Sequence, residues 1–520
     1  MSINLATLWP EHANPYWPTA AIAKLVLDSR CVSTGDVFFA LQGSHVQPTQ
    51  MADFIQSALA QGALAVFTEV AISGFEQQPV FSCPTLRQWI GVLAQRLLQD
   101  HGLQPLPKIA AVTGTNGKTT ISRLLAELFY LNGTASAVMG TTGNGILPNI
   151  EPSTHTTLDA IQLQQQLYDF AGAGAQYVCL EASSHGLDQG RLDGTPISVA
   201  IFSNLTRDHL DYHGTLENYA KAKAKLFAFA NLQYAILNQD DPAWTVMQQA
   251  LIESQHITQS ASSQQILAKP THKPAVIWTY SLIHSNADFY VQQVSYSLAG
   301  ALLNIRTPLG EMTLQSPLLG HFNVSNILAV IAGAIACGMN LAQIQHWVPK
   351  LHGAPGRMQV VEHQSRLFVV DYAHTPDALT QVLTSLKHHV VANAKLWVVF
   401  GCGGNRDRGK RPLMTQAALA LADQVILTAD NPRDESVEQI LADMLQDITP
   451  EQQDKLELQP DRRLAIGLVV RAAQAQDIVV IAGKGHEDYQ EIEGVRHWFD
   501  DVVELKGALS ATQPPSSYPA

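Results

Sequence analysis

The sequence predicts a three-domain α/β protein. At ~150 residues per domain, the 520-residue chain is long enough for three or four domains, each with its own core. Two long stretches alternate apolar strand-like runs with helical patterns, the grammar of mostly parallel sheets. That grammar breaks near residues 103 and 352, dividing the chain into 1–103, 104–350 and 351–520.

In the first segment, Val37-Phe-Phe-Ala-Leu41 and Ala63-Leu-Ala-Val-Phe67 read as short strands, and Leu86 to Gln99 is an amphipathic helix. After the linker Leu103 to Pro107, Lys108-Ile-Ala-Ala-Val-Thr113 reads as a buried strand. A Gly-rich turn and a helix from Lys118 to Leu131 follow, and Asn132-Gly133 stops the helix. Gln176 to Ala182, Ser198 to Leu205 and Tyr234 to Asn238 predict further parallel strands. Glu253 to Pro274, rich in Ser, Gln, Thr and His, predicts an irregular connection, and Val291 to Thr313 alternates like antiparallel strands at a sheet edge. Beyond His352-Gly-Ala-Pro-Gly356, strands at Leu367 to Asp371, Leu396 to Gly401, Gln424 to Thr428 and Asp477 to Ala482 alternate with helices, predicting a Rossmann-like third domain. The Pro- and Ser-rich tail, Thr512 to Ala520, is expected to be disordered.

Composition narrows the class. Hydrophobic residues at 46% and charged residues at 15% exclude a disordered chain. A net charge of −13, scattered along the sequence, argues against nucleic acid or an anionic membrane as partner, so an anionic ligand has to be met by local positive charge. Five cysteines, Cys31, Cys83, Cys179, Cys337 and Cys402, are odd in number and far apart, forming neither a disulfide framework nor a zinc pattern. Met1 to His12 lacks the features of a secretory leader, and the longest apolar run, Ile327 to Met339, is too short to span a bilayer. A cytoplasmic protein is expected.

The first chemistry lies in Gly114-Thr115-Asn116-Gly117-Lys118-Thr119-Thr120, between a predicted strand and a predicted helix. There backbone N–H groups and the helix N-terminus can cradle phosphate oxygens. Lys118 would neutralise the terminal phosphates of ATP, and the Thr119 hydroxyl would bind Mg²⁺. The general phosphate-loop pattern wants glycine where Val112 stands; here Gly114 serves instead. Glu181, at the C-terminal end of a strand, can supply one metal carboxylate, and His209 a nitrogen to a second metal. Spacing alone leaves His209 equally open to capping or hydrogen bonding. It leaves Lys223 equally open to being a surface lysine beside Lys221 and Lys225.

Six motifs in order carry a resemblance: Glu181-Ala-Ser-Ser-His-Gly186, Asn204-Leu-Thr-Arg-Asp-His209, Tyr219-Ala-Lys-Ala-Lys223-Ala-Lys-Leu-Phe227, Gly320-His-Phe-Asn323-Val-Ser-Asn326, Gly356-Arg357-Met and Asp371-Tyr-Ala-His374-Thr-Pro. With the short phosphate loop, they resemble the Mur ligase family over nearly the whole chain. The loop form is shared with folylpolyglutamate synthetases.

The resemblance implies an ATP-dependent amide ligase, in which ATP turns a carboxylate into an acyl phosphate that an amine then attacks. Lys118, Glu181, His209 and Lys223 would be its catalytic residues, Lys223 as a CO₂-derived carbamate that holds Mg²⁺ together with Thr119, Glu181 and His209. Asn323 and Arg357 correspond to positions near adenine and phosphates, and Asp371 and His374 to positions of the third domain that close over ATP. His155, Thr156, Thr157, Ser183, Gln189 and Arg191 correspond to contacts of a UDP-muramoyl-peptide. His155 stands where some relatives carry asparagine, and as local structure Thr156-Thr157 before Asp159 is also a good helix start.

At the front of the chain, Asp28-Ser29-Arg30 and Gly35 to Gly43 resemble the uridine-nucleotide domain of the diamino-acid-adding branch, with Ser29 and the Ser44-His45-Val46 turn as contacts. Asp430-Asn431-Pro432-Arg433 resembles that branch's signature for meso-diaminopimelate. Arg433 and Asn431 would bind the carboxylate and amine at its far end, Pro432 would fix the turn, and the basic stretch Gly403 to Pro412, with Arg406, would receive the anion. Gly483-Lys-Gly-His-Glu487 would complete the pocket, Glu487 answering the distal ammonium. The substrates so implied are UDP-N-acetylmuramoyl-L-alanyl-D-glutamate and meso-diaminopimelate, handled by a monomer. A lysine-adding ligase and a folylpolyglutamate synthetase are the alternatives; Arg433, left unpaired by lysine, opposes the former at a cost of ~1–3 kcal/mol.

Overall fold

In this computed structural model the structure describes residues 3–43, 48–100, 105–153, 155–260, 274–353 and 356–511. The chain divides into two compact units, 1–280 with 332–339, and 281–331 with 340–520. The Ser44-His45-Val46 turn and the tail from Thr512 lie outside the described residues.

The first unit begins with a four-stranded parallel sheet, Leu25–Val26, Val37–Ala40, Ala65–Thr68 and Val80–Ser82, with helices Pro48–Ala60 and Leu86–Asp100. Successive side chains of a strand point to opposite faces, so Val37 and Phe39 join a core with Trp9, Trp17 and Trp89, while Phe38 and Ala40 join one with Met51 and Ile55. Helix Leu86–Asp100 packs tightly on the next part of the unit. A Cβ at Gly91 would strike the Asp193 carbonyl, and one at Gly194 would lie 2.7 Å from the Val92 nitrogen.

The second sheet of this unit runs Val276–Ser281, Tyr234–Asn238, Ile197–Phe202, Lys108–Thr113, Tyr177–Glu181, Ser136–Gly140, Gly143–Ile146. All neighbours are parallel except the last pair. Lys108–Thr113 is buried along nearly its whole length, as expected where both faces of a parallel sheet are covered. After this strand the chain builds first to one side and later to the other. The crevice at its C-terminal end is therefore the switch point at which open α/β sheets take ligands.

The second unit holds an antiparallel meander, Phe289–Ser297, Gly300–Thr307 and Gly310–Ser316. It also holds a six-stranded sheet in the order Gln359–His363, Arg366–Asp371, Ile478–Ala482, Leu396–Phe400, Gln424–Leu427, Leu456–Leu458, parallel except at its first edge. A two-stranded hairpin, Tyr489–Ile492 with Val495–Trp498, stands beside it.

The expected strands and the helix Lys118–Leu131 are present. One expectation is corrected: residues 253–260, read as irregular, continue the helix Trp244–Ser260, because Met247 and Leu251 supply a buried apolar stripe that outweighs the polar composition. The apolar run at Ile327 lies in the helix His321–Ala336, and no helix among the described residues is long and apolar enough to cross a membrane. All five cysteines are free.

Under the six-stranded sheet, Arg462 and Asp501 form a fully buried ion pair at 2.7 Å, and Arg462 also donates to the Ala482 carbonyl at 2.9 Å. Removing one partner strands the other charge. Arg462→Ala is expected to lose about 3–5 kcal/mol of stability in urea unfolding, and a double apolar replacement of Arg462 and Asp501 to lose much less.

Candidate functional site

In the first unit the switch point is built on two glycines. Gly117 (φ +85°) turns the chain into the helix at Lys118. A Cβ on Gly114 would collide with the Ser203 hydroxyl and sit 3.0 Å from the Asn204 carbonyl. The loop is fastened to the end of Ile197–Phe202: Thr115 N–H donates to Asn204 O (2.8 Å), Asn116 N–H to Asn204 Oδ1 (2.9 Å), and Thr206 N–H to Thr115 Oγ1 (2.9 Å). Asn204 thus shapes the loop, a role the sequence reading did not give it.

Two lysines converge on this loop. Lys118 Nζ donates to Gly114 O and Thr115 O, both at 2.9 Å, and Lys223 Nζ donates to the same Gly114 O at 2.7 Å. Lys223 is only 1% exposed and lies 4.2 Å over the Tyr219 ring. Burial, reinforced by the charge of Lys118, drives its pKa well below the ordinary lysine value, against a small opposing pull from Asp208. A lysine so placed favours the neutral amine.

Glu181, buried at 2% exposure, accepts from Thr119 Oγ1 (2.9 Å), Thr141 N–H (2.8 Å) and Thr141 Oγ1 (3.3 Å). Its carboxylate passes Gly140 so closely that a Cβ there would lie 2.6 Å from the Glu181 carboxyl carbon. Thr141 is a contributor that no motif announced. His209, by contrast, is half exposed in a left-handed turn (φ +51°), 3.4 Å from Asp208 and 5.0 Å ring to ring from His185. Among the described residues no three His, Cys, Asp or Glu side chains cluster to hold a metal. The structure does not gather His209 and Glu181 into a ready-made cage; what it offers a hard cation is the Glu181 carboxylate beside the Thr119 hydroxyl. That pair suits Mg²⁺, which takes one or two carboxylates and completes its shell with phosphate and water.

Next to Glu181, Thr157 Oγ1 donates to the Glu181 carbonyl (2.8 Å) and accepts from Ser183 N–H (3.0 Å), and Thr156 shares a hydroxyl contact with Thr141 (3.0 Å). Ser183 caps the helix Ser184–Asp188. Gln189 Oε1 accepts from both Nε (3.0 Å) and Nη2 (2.7 Å) of Arg191, whose Nη1 donates to Thr157 O (2.8 Å). These five expected residues form one connected group; His155 stays exposed, its N–H on Ser153 Oγ at 3.3 Å. The helix start expected near Thr156-Thr157 is capped by Asp159. Ser29 is buried in a short turn, and its carbonyl accepts from Gln61 Nε2 (3.0 Å).

The second unit contains a cavity of about 480 Å³ lined by Arg406, Asp430, Asn431, Arg433, Gly483 and Glu487, six of the seven residues expected to hold an amino acid. Pro432 lies in the turn behind them, its carbonyl accepting from Glu435 N–H (3.1 Å). Four strand ends supply the wall: Arg366–Asp371, Leu396–Phe400, Gln424–Leu427 and Ile478–Ala482. Asn431 Nδ2 donates to Glu487 (2.9 Å), and Arg433 Nη1 to Gly404 O (2.8 Å) while its Nε stands 3.4 Å from Glu491.

Sequence reading missed Lys484. Wholly buried, it donates to Asn431 Oδ1 (2.9 Å) and Tyr489 O (2.6 Å) and stands 3.4 Å from Asp430 and 3.6 Å from Glu487. Its only signal was a lysine placed between two glycines directly after an apolar strand. Burial first, then the Asp430 charge, pushes the Glu487 pKa up.

Asp371 is buried and accepts from Met358 N–H and Ala373 N–H, both at 2.8 Å, and burial raises its pKa. Arg357 lies 4.7 Å over the Tyr372 ring. Asn323 is engaged locally, donating to Leu319 O just ahead of its helix (2.7 Å) and accepting from Asn326 (2.9 Å).

Residues 112–334 match the Mur ligase middle domain, and 356–485 the Mur ligase glutamate ligase domain. The chain is 40% identical over 516 residues to the UDP-N-acetylmuramoyl-L-alanyl-D-glutamate--2,6-diaminopimelate ligase of Pseudomonas aeruginosa, covering 97% of this chain and 99% of that one. To the protein of the same name from Vibrio cholerae it is 41% identical, with 93% of each chain covered. A solved structure of such a ligase superposes with a TM-score of 0.75 at 52% identity, over 98% of this chain and 99% of that one. MurF from Acinetobacter baumannii, 18% identical with a TM-score of 0.58 over 95% and 94% of the two chains, shares the fold.

Because the Glu181 carboxylate occupies the space beside Gly140, Gly140→Ala is expected to cost about 1–3 kcal/mol in urea unfolding. Gly172→Ala, at a helical glycine with nothing within 4 Å of a new Cβ, is expected to be neutral or to stabilise by about 0.4–1 kcal/mol.

Proposed function

The chain belongs to the Mur ligase family, and we propose that it is the member that joins meso-diaminopimelate to the D-glutamyl carboxylate of UDP-N-acetylmuramoyl-L-alanyl-D-glutamate at the expense of ATP. The observation that carries the choice of amino acid is the cavity in which Arg406, Arg433, Asp430, Asn431 and Glu487 converge. Diaminopimelate bears a carboxylate and an ammonium at each end. A cavity lined by both guanidinium and carboxylate groups answers it with paired charges. Lysine offers Arg433 nothing.

On this reading residues 1–103, 104–350 and 351–520 serve the uridine nucleotide, ATP and the amino acid respectively. Gly114 to Thr120 cradle the phosphates, with Lys118 neutralising the transferred one and Arg357, Asn323 and Asp371 assisting on the nucleotide. Ser29 and the Ser44 to Val46 turn take the uridine end, and His155, Thr156, Thr157, Ser183, Gln189 and Arg191 the muramoyl-peptide. Thr119 and Glu181 would hold Mg²⁺, joined by His209 and by Lys223 as a carbamate; the ion would draw charge from the phosphate and carboxylate oxygens and so lower their mutual repulsion. CO₂ adds only to a neutral amine, and the burial of Lys223 beside Lys118 supports that modification. The product chemistry places the enzyme in cell-wall precursor synthesis.

Phosphate release from ATP is expected only when both UDP-N-acetylmuramoyl-L-alanyl-D-glutamate and meso-diaminopimelate are supplied; lysine turned over with comparable kcat/KM defeats the specificity claim. Lys223→Ala is expected to be inactive, and the intact protein to carry the mass of a carbamate; an active alanine variant removes Lys223 from the site. Arg433→Ala is expected to raise the diaminopimelate KM and leave that for ATP unchanged, whereas an equal rise in both marks the turn as structural.

A further inference from the structure

An amino acid reaches the enzyme with its amine protonated, and an ammonium has no lone pair with which to attack an acyl phosphate. Some group in the amino-acid cavity has to take that proton. Asp430 and Glu487 face the Lys484 ammonium at 3.4 and 3.6 Å, and Glu487 also accepts from Asn431. The phenols of Tyr372 and Tyr489 are pushed further up in pKa, chiefly by burial, and hold their own protons. Lys410 is a cation that donates to a carbonyl. The Cys402 thiol is pushed up to about 12, chiefly by burial, and Arg406 and Arg433 are guanidinium groups, which leaves His374 among the titratable groups on the wall.

His374 Nδ1 stands 2.9 Å from the Tyr372 carbonyl oxygen. A carbonyl can only accept, so Nδ1 carries the hydrogen and Nε2 carries the lone pair. Nε2 has no hydrogen-bond partner among the described residues, and the ring lines the cavity. The ring and its backbone are both anchored. The ring packs edge-on to Tyr372 at 4.7 Å; Lys410 Nζ donates to the His374 carbonyl at 3.0 Å; and Thr375, the next residue, caps the helix Pro376–Lys387.

We propose that His374 is the general base of the ligation, taking a proton from the reacting ammonium of the amino acid onto Nε2. This rests on the reading of the cavity as the amino-acid site. The freed amine forms the C–N bond at the acyl carbon, the bond from that carbon to the phosphate oxygen breaks, phosphate leaves with the electron pair, and the second amine proton departs with it. The neutral imidazole that the step requires is favoured by the surroundings. His374 is exposed at the cavity wall, and the protein packed around its ring lowers its pKa by desolvation, as do Lys410 and Arg357, while the Tyr372 carbonyl and Asp430 pull the other way. Protonation of His374 removes the base, so activity is present above its pKa and lost as pH falls through it, below the ordinary imidazole value of about 6.5.

The test compares the full-length enzyme with His374→Asn and His374→Ala. For His374→Asn, kcat is expected to fall about 10²–10⁴-fold with the KM values for diaminopimelate and ATP little changed. The inflection at the His374 pKa is expected to vanish from its pH–rate profile, leaving only the rise with pH that free amine gives, and added imidazole is expected to restore part of the rate of His374→Ala. A parental kcat in His374→Asn, a loss confined to KM, or an unaltered acid limb overturns the assignment. Arg433→Ala measured alongside separates the two readings. If it raises the diaminopimelate KM while His374→Asn turns over normally, only the base is wrong; if it leaves that KM untouched, the cavity is not the amino-acid site and both fall.

Discussion

Two lysine nitrogens share one carbonyl oxygen, that of Gly114, and the central site depends on it. Lys118 and Lys223 both donate to that oxygen, one at 2.9 Å and the other at 2.7 Å. Two ammonium groups so placed repel each other, and the Gly114 carbonyl dipole, with that of Thr115 on Lys118, does not offset a repulsion that grows as water is excluded. Two relieving changes are open. An anion can enter beside the lysines, as the phosphates of ATP would, or one lysine can give up its charge. Lys118, half buried at the loop's edge, suits the first. Lys223, with its side chain sealed under Tyr219 and the loop, suits the second. The fold arranges this by letting Gly114 approach Ser203 and Asn204 more closely than any side chain allows.

The amino-acid cavity solves a related problem with the signs reversed. Asp430 and Glu487 would repel each other, and Lys484 is placed beneath both, with no exposure of its own. A fully desolvated lysine survives only when its hydrogen bonds are satisfied, and here Asn431 and the Tyr489 carbonyl accept two of them. Asn431 is therefore two-sided, receiving from Lys484 through its oxygen and donating to Glu487 through its nitrogen. Arg411 performs comparable work nearby. Its buried guanidinium binds Glu435, which in turn accepts from the Asn405 N–H, and so it holds the Gly403 to Arg408 loop against the Asp430 to Arg433 turn.

What could be read from sequence follows from which interactions are local. The strand Lys108–Thr113 and the helix Lys118–Leu131 emerge at their expected limits, because an unbroken apolar run and a glycine turn are properties of neighbouring residues. The loop residues Gly114 to Thr120 and the turn Asp430 to Arg433 were legible for the same reason. Thr141 and Lys484 were not, since each matters through a carboxylate distant in sequence: Thr141 meets Glu181 across 40 residues, and Lys484 meets Asp430 across more than 50. Composition misled at residues 253–260, where a polar sequence concealed the continuation of a helix anchored by Met247 and Leu251. His209 shows the limit of a motif. Its place in the sequence is that of a ligand, while its side chain lies half exposed beside Asp208.

Under the proposed function, specificity for a diacid would follow from the charges around Arg433. Its backbone is in the left-handed region (φ +52°), a conformation costly for a long side chain, and it is held there by a pairing with the hairpin, Arg433 N–H to Glu491 O at 2.9 Å and Glu493 N–H to Arg433 O at 2.8 Å. The guanidinium has one nitrogen on the Gly404 carbonyl and Glu491 only at 3.4 Å, a loose pairing for a group that can make five hydrogen bonds. Arg433 lines the cavity together with Arg406, Asp430 and Glu487, and a second carboxylate on the substrate would supply the guanidinium with further acceptors. A substrate with only an amine at its far end would add positive charge beside a cation whose bonds are already incomplete. The hairpin Tyr489–Ile492 with Val495–Trp498, which looks peripheral to the sheet, thus fixes the backbone of Arg433, and under the proposed function its register would bear on the choice of amino acid.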